Sequence, residues 1–91
     1  MLIRSQNKAI LLNFSNSTVV YIAKNDKDFV ILSLENGNRY RFGKYSSEAK
    51  AMKVLDMIQE AYYEFMAVRN DDMWNGKESV FQMPEDSEVE V

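Results

Sequence analysis

The chain has no cysteine and no histidine. Disulfides, thiolate or imidazole zinc ligands, cysteine nucleophiles and the commonest general base are therefore excluded together. It has a single proline and three glycines among 91 residues, so phosphate-cradling glycine loops have almost nothing to be built from. Long hydrophobic runs are also missing. The apolar stretch at residues 9–12, behind Arg4 and Lys8, is too short for a secretory core or a membrane span. No targeting signal is read there, and with no cysteines a reducing, cytoplasmic setting is the expectation.

What is present fits one compact domain. Ninety-one residues can bury one core but not two, and 46% hydrophobic with 27% charged residues is ordinary globular composition. Charge is unevenly placed. Residues 1–45 carry seven basic against three acidic side chains, a net of +4, and residues 46–91 carry four against eleven, a net of -7. Much of the negative half is the C-terminal stretch 84–91, where Glu85, Asp86, Glu88 and Glu90 accompany little packing material. Composition predicts a disordered acidic tail there, with a single domain over residues 1–83.

Strand signals fill the first half. Residues 2–5 and 8–14 suit strands broken at Gln6 and Asn7, and residues 18–24 are β-branched and aromatic before a polar turn at 25–28. The clearest local signal is an Asn36-Gly37 turn between two apolar runs, which favours a two-residue hairpin loop and pairs Glu35 with Asn38. That register sets Leu34 with Arg39, Ser33 with Tyr40, Leu32 with Arg41 and Ile31 with Phe42. One face then carries Phe29, Ile31, Ser33, Tyr40 and Phe42 as core. The other carries Val30, Leu32 and Leu34 beside Arg39 and Arg41.

From Ser46 the hydrophobic period lengthens. Ser46 or Ser47 can cap a helix with Glu48 in its first turn, and Ala51, Leu55, Ile58, Tyr62 and Phe65 follow at helical spacing. Val54, Met52, Tyr63, Met66 and Ala61 widen the apolar arc beyond what one thin sheet covers. After a fraying end near residues 70–72, Met73 and Trp74 offer an anchor, and residues 79–83 suit a further strand or an extended segment. The expected fold is α+β: a small antiparallel sheet of four or five strands, one long amphipathic helix and a short C-terminal extension.

Three constellations are candidates for function. Arg39, Arg41, Lys44 and Tyr45 alternate basic and aromatic character just before a helix start, a pattern that suits a phosphate or a stacked base. The same alternation is what a half-buried strand requires, with arginine stems covering Leu32 and Leu34. Tyr63, Met66 and Trp74 are the residue types of an interface, or of a core flank. The acidic tail is either a solvated end or a mimic of nucleic-acid charge. Asp26/Asp28 and Asp71/Asp72 lack calcium-loop spacing, and no nucleophile motif or metal-ligand spacing occurs. The expectation is a non-enzymatic binding protein without metal or cofactor.

Taken together, Leu2-Ile3-Arg4-Ser5-Gln6-Asn7-Lys8, the stretch from Gly43 to Ala51 with Val54-Leu55-Asp56-Met57-Ile58, and Phe81-Gln82-Met83-Pro84 resemble a group of short proteins from Gram-positive bacteria, their prophages and mobile elements. The resemblance spans most of the chain and carries no catalytic or ligand motif. It implies a setting in which small accessory proteins act by stoichiometric binding, including antagonism of host defence. The readings that follow are a self-associating protein that sequesters a host protein or a nucleotide-like, phosphorylated signal; a nucleic-acid binder using the basic sheet; and a structural subunit of a larger assembly. No membrane partner is expected.

Overall fold

The protein is described by a computed structural model covering residues 1–14, 18–69 and 80–91. In chain order the elements are β1 (Leu2–Arg4), β2 (Leu11–Asn13), β3 (Val19–Asn25), β4 (Asp28–Glu35), β5 (Asn38–Tyr45), α1 (Glu48–Arg69), β6 (Val80–Gln82) and a short 3-10 turn, Asp86–Glu88. The α+β class is as the sequence predicts. The strands, however, form two three-stranded sheets, ordered β2-β1-β6 and β3-β4-β5, rather than one sheet of four or five.

The division has a local cause. Residues 5–10 fold into a tight turn in which the Ser5 N–H donates to the Ile10 carbonyl at 2.9 Å and Lys8 takes a positive φ of 66°. This returns β2 antiparallel onto β1, with Ile3 opposite Leu12. The other edge of β1 is taken by β6, which runs parallel to it with Phe81 opposite Ile3. With both edges of β1 occupied, β1 itself cannot join the longer sheet. The parallel partnership of the chain's two ends was not foreseen, because nothing in a three-residue strand announces its partner.

In the longer sheet the hairpin turn is as read. Asn36 and Gly37 both have positive φ, 51° and 81°, and Glu35 pairs with Asn38. The register holds through Leu32 and Arg41. It then shifts: Ile31 pairs with Gly43, not Phe42, and Phe42 is the extra residue of a β-bulge. Tyr40, expected in the core, is 37% exposed. It lies near the hairpin end and lines a shallow recess with Ile10, Leu11 and Leu12 from the first sheet's hairpin.

Ser47 caps the helix, its Oγ accepting from the Lys50 N–H at 3.2 Å. The helix packs on all three strands of the longer sheet. Its innermost positions are Ala51, Val54 and Ile58, while Leu55, Ala61, Tyr62 and Phe65 pack at the margin of the core. Val54, read as a flank, is thus central, and the buried arc is turned by about one residue's rotation from the predicted stripe. Ile3, Leu12, Ile31, Phe42, Tyr45, Met83 and Val89 complete one core fed by both sheets and the C-terminal segment. Among the described residues no helix is long and apolar enough to cross a membrane.

Residues 84–91, expected as a disordered tail, lie against the body instead. Val89 is buried, the Glu85 N–H donates to Glu88 Oε1 at 2.8 Å, and the turn closes with Glu88 N–H to the Glu85 carbonyl at 3.0 Å. Acidic composition disguised one packing residue, Val89, and a local turn in which Glu88 caps the Glu85 N–H.

Gly43 is the close approach on which this packing turns. A Cβ there would stand 2.9 Å from Cε2 and 3.0 Å from the hydroxyl oxygen of Tyr45. Gly43→Ala is therefore expected to destabilise the fold by about 1–3 kcal/mol, the usual range for overpacking, measured by urea titration. An unchanged midpoint would show that the Tyr45 ring is not seated there.

Candidate functional site

The bulge decides which side chains meet. In an unbroken strand Arg39, Arg41, Gly43 and Tyr45 would share a face. With Phe42 inserted, Arg39, Arg41 and Lys44 lie opposite Leu34, Leu32 and Val30. Residues opposite one another share a face, so all three cations project from the same side. That side is the one turned away from the helix. On β3 it continues with Val19, Tyr21 and Ala23, paired with the same three β4 residues. The result is an open, largely apolar sheet surface bordered along β5 by three exposed cations.

The fourth predicted contact behaves differently. The bulge turns Tyr45 inward, opposite Phe29, and it is fully buried. Its hydroxyl donates to the Pro84 carbonyl at 2.8 Å. Burial, with Glu85, Asp86 and Glu88 nearby, pushes the phenol well above its ordinary value, so it remains a protonated donor. Tyr45 is a structural anchor and is removed from the ligand-contact set.

Arg41 and Lys44 also line a groove of about 360 Å³ along the β5 edge, with Gln6, Asn7 and Gly43 as its floor and Glu85 on the rim. Gln6 builds that floor. Its Oε1 accepts from the Lys44 N–H at 2.9 Å, while its Nε2 donates to the Lys44 carbonyl at 3.2 Å and the Pro84 carbonyl at 3.0 Å. The side-chain amide thereby imitates a neighbouring strand. Asn7 Oδ1 accepts from Ser5 Oγ at 2.7 Å and the Ala9 N–H at 3.0 Å, which fixes the amide's orientation at the groove. Neither Gln6 nor Asn7 stood out in the sequence, where they read as a polar break between strands.

The electrostatics are graded along the strand. Lys44 lies 4.0 Å from Asp28 Oδ2, an exposed pair of small energetic worth. Among the described residues neither Arg39 nor Arg41 has an acidic partner within that distance. Just before the helix, Asp86 Oδ1 accepts from the Ser46 N–H at 2.8 Å and Ser46 Oγ at 3.1 Å, which sets one of the chain's own carboxylates beside the helix start. Lys50 Nζ stands 3.5 Å from Asp86 Oδ2. The Ser46 backbone bond, then its hydroxyl and Lys50, hold the Asp86 carboxyl below its ordinary value.

The interface candidates sit elsewhere. Tyr63 is 75% exposed and Met66 is 39% exposed on the helix. Trp74 lies outside the described residues, as do Met73 and the acidic pair at 71 and 72. Met52, previously placed only on the arc's flank, is 49% exposed and shares a helical stripe with Tyr63 and Met66.

No family model, curated protein or solved structure matches the chain. The functional reading accordingly rests on its own surface. Among the described residues no cluster of acidic side chains is arranged to hold a metal ion.

Because the folded carboxyl of Asp86 titrates below its ordinary 3.8, its contribution is present above that pH and is lost as pH falls through the lowered folded value. The melting-temperature advantage of the native chain over Asp86→Ala is expected to be full at neutral pH and to shrink as pH falls below the ordinary carboxylate range. A pH-independent difference would remove the ionic component.

Proposed function

We propose that the protein is a non-enzymatic accessory protein that self-associates and acts by stoichiometric binding, with the Arg39, Arg41 and Lys44 face as its contact for an anionic partner. The observation that carries this reading is the bulge at Phe42. It costs the sheet a ladder pairing and, in return, brings Lys44 into phase with the two arginines. Three cations then border one apolar face and, through Arg41 and Lys44, one groove. Arginine forks match phosphate and carboxylate oxygens, and the apolar sheet face beside them offers a ligand's ring or apolar body a surface to lie on. The groove volume lies at the lower end of the range for small-ligand sites. Sequestration of a phosphorylated, nucleotide-like signal or of an acidic surface on a host protein fits both features. The setting of phage and mobile-element proteins, an expectation of the sequence resemblance, agrees with a role met by binding alone.

A second reading is favoured by one residue. Tyr21 lies opposite Leu32 on the cationic face, in the row that ends at Arg41. A strand-borne aromatic beside arginines is a platform on which a nucleic-acid base can stack, with single strands the natural form. Docking as a subunit of a larger assembly would use the same face without any phosphate.

The two ligand classes separate in one experiment. Titration with inorganic tripolyphosphate and with a labelled single-stranded oligonucleotide is expected to show binding of the first at fixed salt. The combined Arg39→Ala, Arg41→Ala and Lys44→Ala variant is expected to lose at least about tenfold, the scale of one charge-assisted contact. All three side chains are exposed, so the melting temperature should stay near that of the native chain. Tight oligonucleotide binding that falls steeply with salt would favour the second reading. Equal binding by the native chain and the triple variant would overturn both.

A further inference from the structure

We infer that the second copy in the self-association proposed above docks at one side of the molecule, pairing β3 edge to edge across a two-fold axis with the helices antiparallel over the joint. The inference rests on the self-association reading and specifies its geometry. Three observations converge on that side.

The first is an open strand edge. β3 has seven residues and only one neighbour, β4, among the described residues. It contains no proline, no bulge and one charged side chain, Lys24, near its end. An edge of this kind presents a row of donors and acceptors that a second strand satisfies, and charges or bulges are the usual means of preventing that. The opposite border of the sheet is guarded near its end: the Gln6 side chain bonds both backbone groups of Lys44, and the Gln6 N–H donates to the Phe42 carbonyl at 2.7 Å. Among the described residues the β3 border of this sheet is left without a neighbour along its length.

The second is where the helix turns its exposed apolar stripe. Lys50 reaches the C-terminal segment through Asp86, so one flank of α1 is covered by the chain's own end. On the other flank, Leu55, Ile58, Gln59 and Tyr62 face Phe14, Thr18 and Val20 across a recess of about 260 Å³, and the Phe14 ring lies edge-on to Tyr62 with centroids 5.0 Å apart. That flank overhangs β3. Just beyond Leu55 and Tyr62 on the helical circumference runs the stripe Met52, Asp56, Gln59, Tyr63 and Met66, every member exposed.

The third is the self-complementarity of this stripe. Its positions fall at nearly equal distances on either side of Gln59. A two-fold axis at Gln59 sets Met52 against the second copy's Met66, Asp56 against its Tyr63, and Gln59 against Gln59. Thioether meets thioether, a carboxylate meets a phenolic donor, and an amide meets an amide; no like charges coincide. Such an arrangement is what an isologous interface requires, because residue i must suit residue j in both directions. Gln59 also lines the recess with Thr18 and Val20, so an axis through the helix stripe passes near the β3 edge as well.

The spacing is compatible. The helix rests over the three strands with its most numerous neighbours on β4. Strands lie about 4.8 Å apart, which places two such helices roughly 14 Å apart across a β3 pair. Helices with side chains are about 10–12 Å wide, so long methionine and tyrosine side chains are the kind that close the remaining gap. The joined sheet has six strands, and the cationic faces of both copies lie on its opposite side from the helices, still open to a partner.

The absence of native cysteine makes the test direct. Light scattering is expected to give twice the chain mass of 10.6 kDa. Gln59→Cys should cross-link to a covalent dimer with a short bismaleimide, whereas Lys53→Cys, on the solvent side of the helix, should not. Combined Met52→Glu and Tyr63→Glu substitution should give a monomer that keeps the native circular-dichroism spectrum, since both side chains are exposed, while its melting temperature loses the concentration dependence of the dimer. Hydrogen exchange should show β3 amides protected along the whole strand in the native dimer and only alternately in the monomeric variant. A strict monomer at high micromolar concentration overturns this inference and self-association together, leaving anion binding to be judged on its own titration. A dimer that neither cross-links at Gln59 nor responds to the double substitution overturns only the interface described here.

Discussion

The Tyr45 hydroxyl bonded to the Pro84 carbonyl, with the ring seated over Gly43, is the contact through which the rest of the structure is tied. It joins the end of the long sheet to the segment that follows β6. Gln6 reaches the same Pro84 carbonyl and both backbone groups of Lys44, so the first hairpin, β5 and the C-terminal segment meet within one polar cluster. Tyr45 is buried and Gln6 and Pro84 are half-buried, so their polar groups must be satisfied where water is excluded. The cluster therefore acts as a joint: the two sheets and the chain's end can share a core only while it is closed.

The same joint explains the placement of the cations. For Tyr45 to turn inward, β5 must gain a residue relative to β4, and Phe42 is that residue. The inward turn of Tyr45 and the outward turn of Lys44 are one event seen from two sides of the sheet. The cationic surface is thus built by the packing of an aromatic residue that never reaches it. This is why the four residues of the basic and aromatic pattern do not remain together: three border the open face, and the fourth holds the strand that presents them.

Charge asymmetry along the sequence also acquires a different meaning in three dimensions. The acidic end does not hang free as a screen for the basic half. Asp86 caps the chain just before α1 and engages Lys50, while Glu88 turns back on Glu85. A carboxylate placed near a helix start is favoured by the positive end of the helix dipole. The basic sheet face, on the other side of the molecule from the helix, is left with the more favourable field for an anionic partner.

Local chemistry in the sequence determined the hairpin at Asn36-Gly37, the long helix behind a serine cap, the strand run of 19–25 and the α+β class. Each depends on neighbours within a few residues, on positive φ, capping oxygens or apolar period. The candidate cations Arg39, Arg41 and Lys44 were legible for the same reason, and so were Tyr63 and Met66 as apolar residues on a wide helical arc. Tertiary structure alone decided that β6 runs beside β1, that Phe42 is a bulge, that Tyr45 is buried, and that Gln6 and Asp86 are joints. Those outcomes turn on which distant polar groups must find one another as water leaves, and alternation or composition in a linear chain holds no record of that pairing.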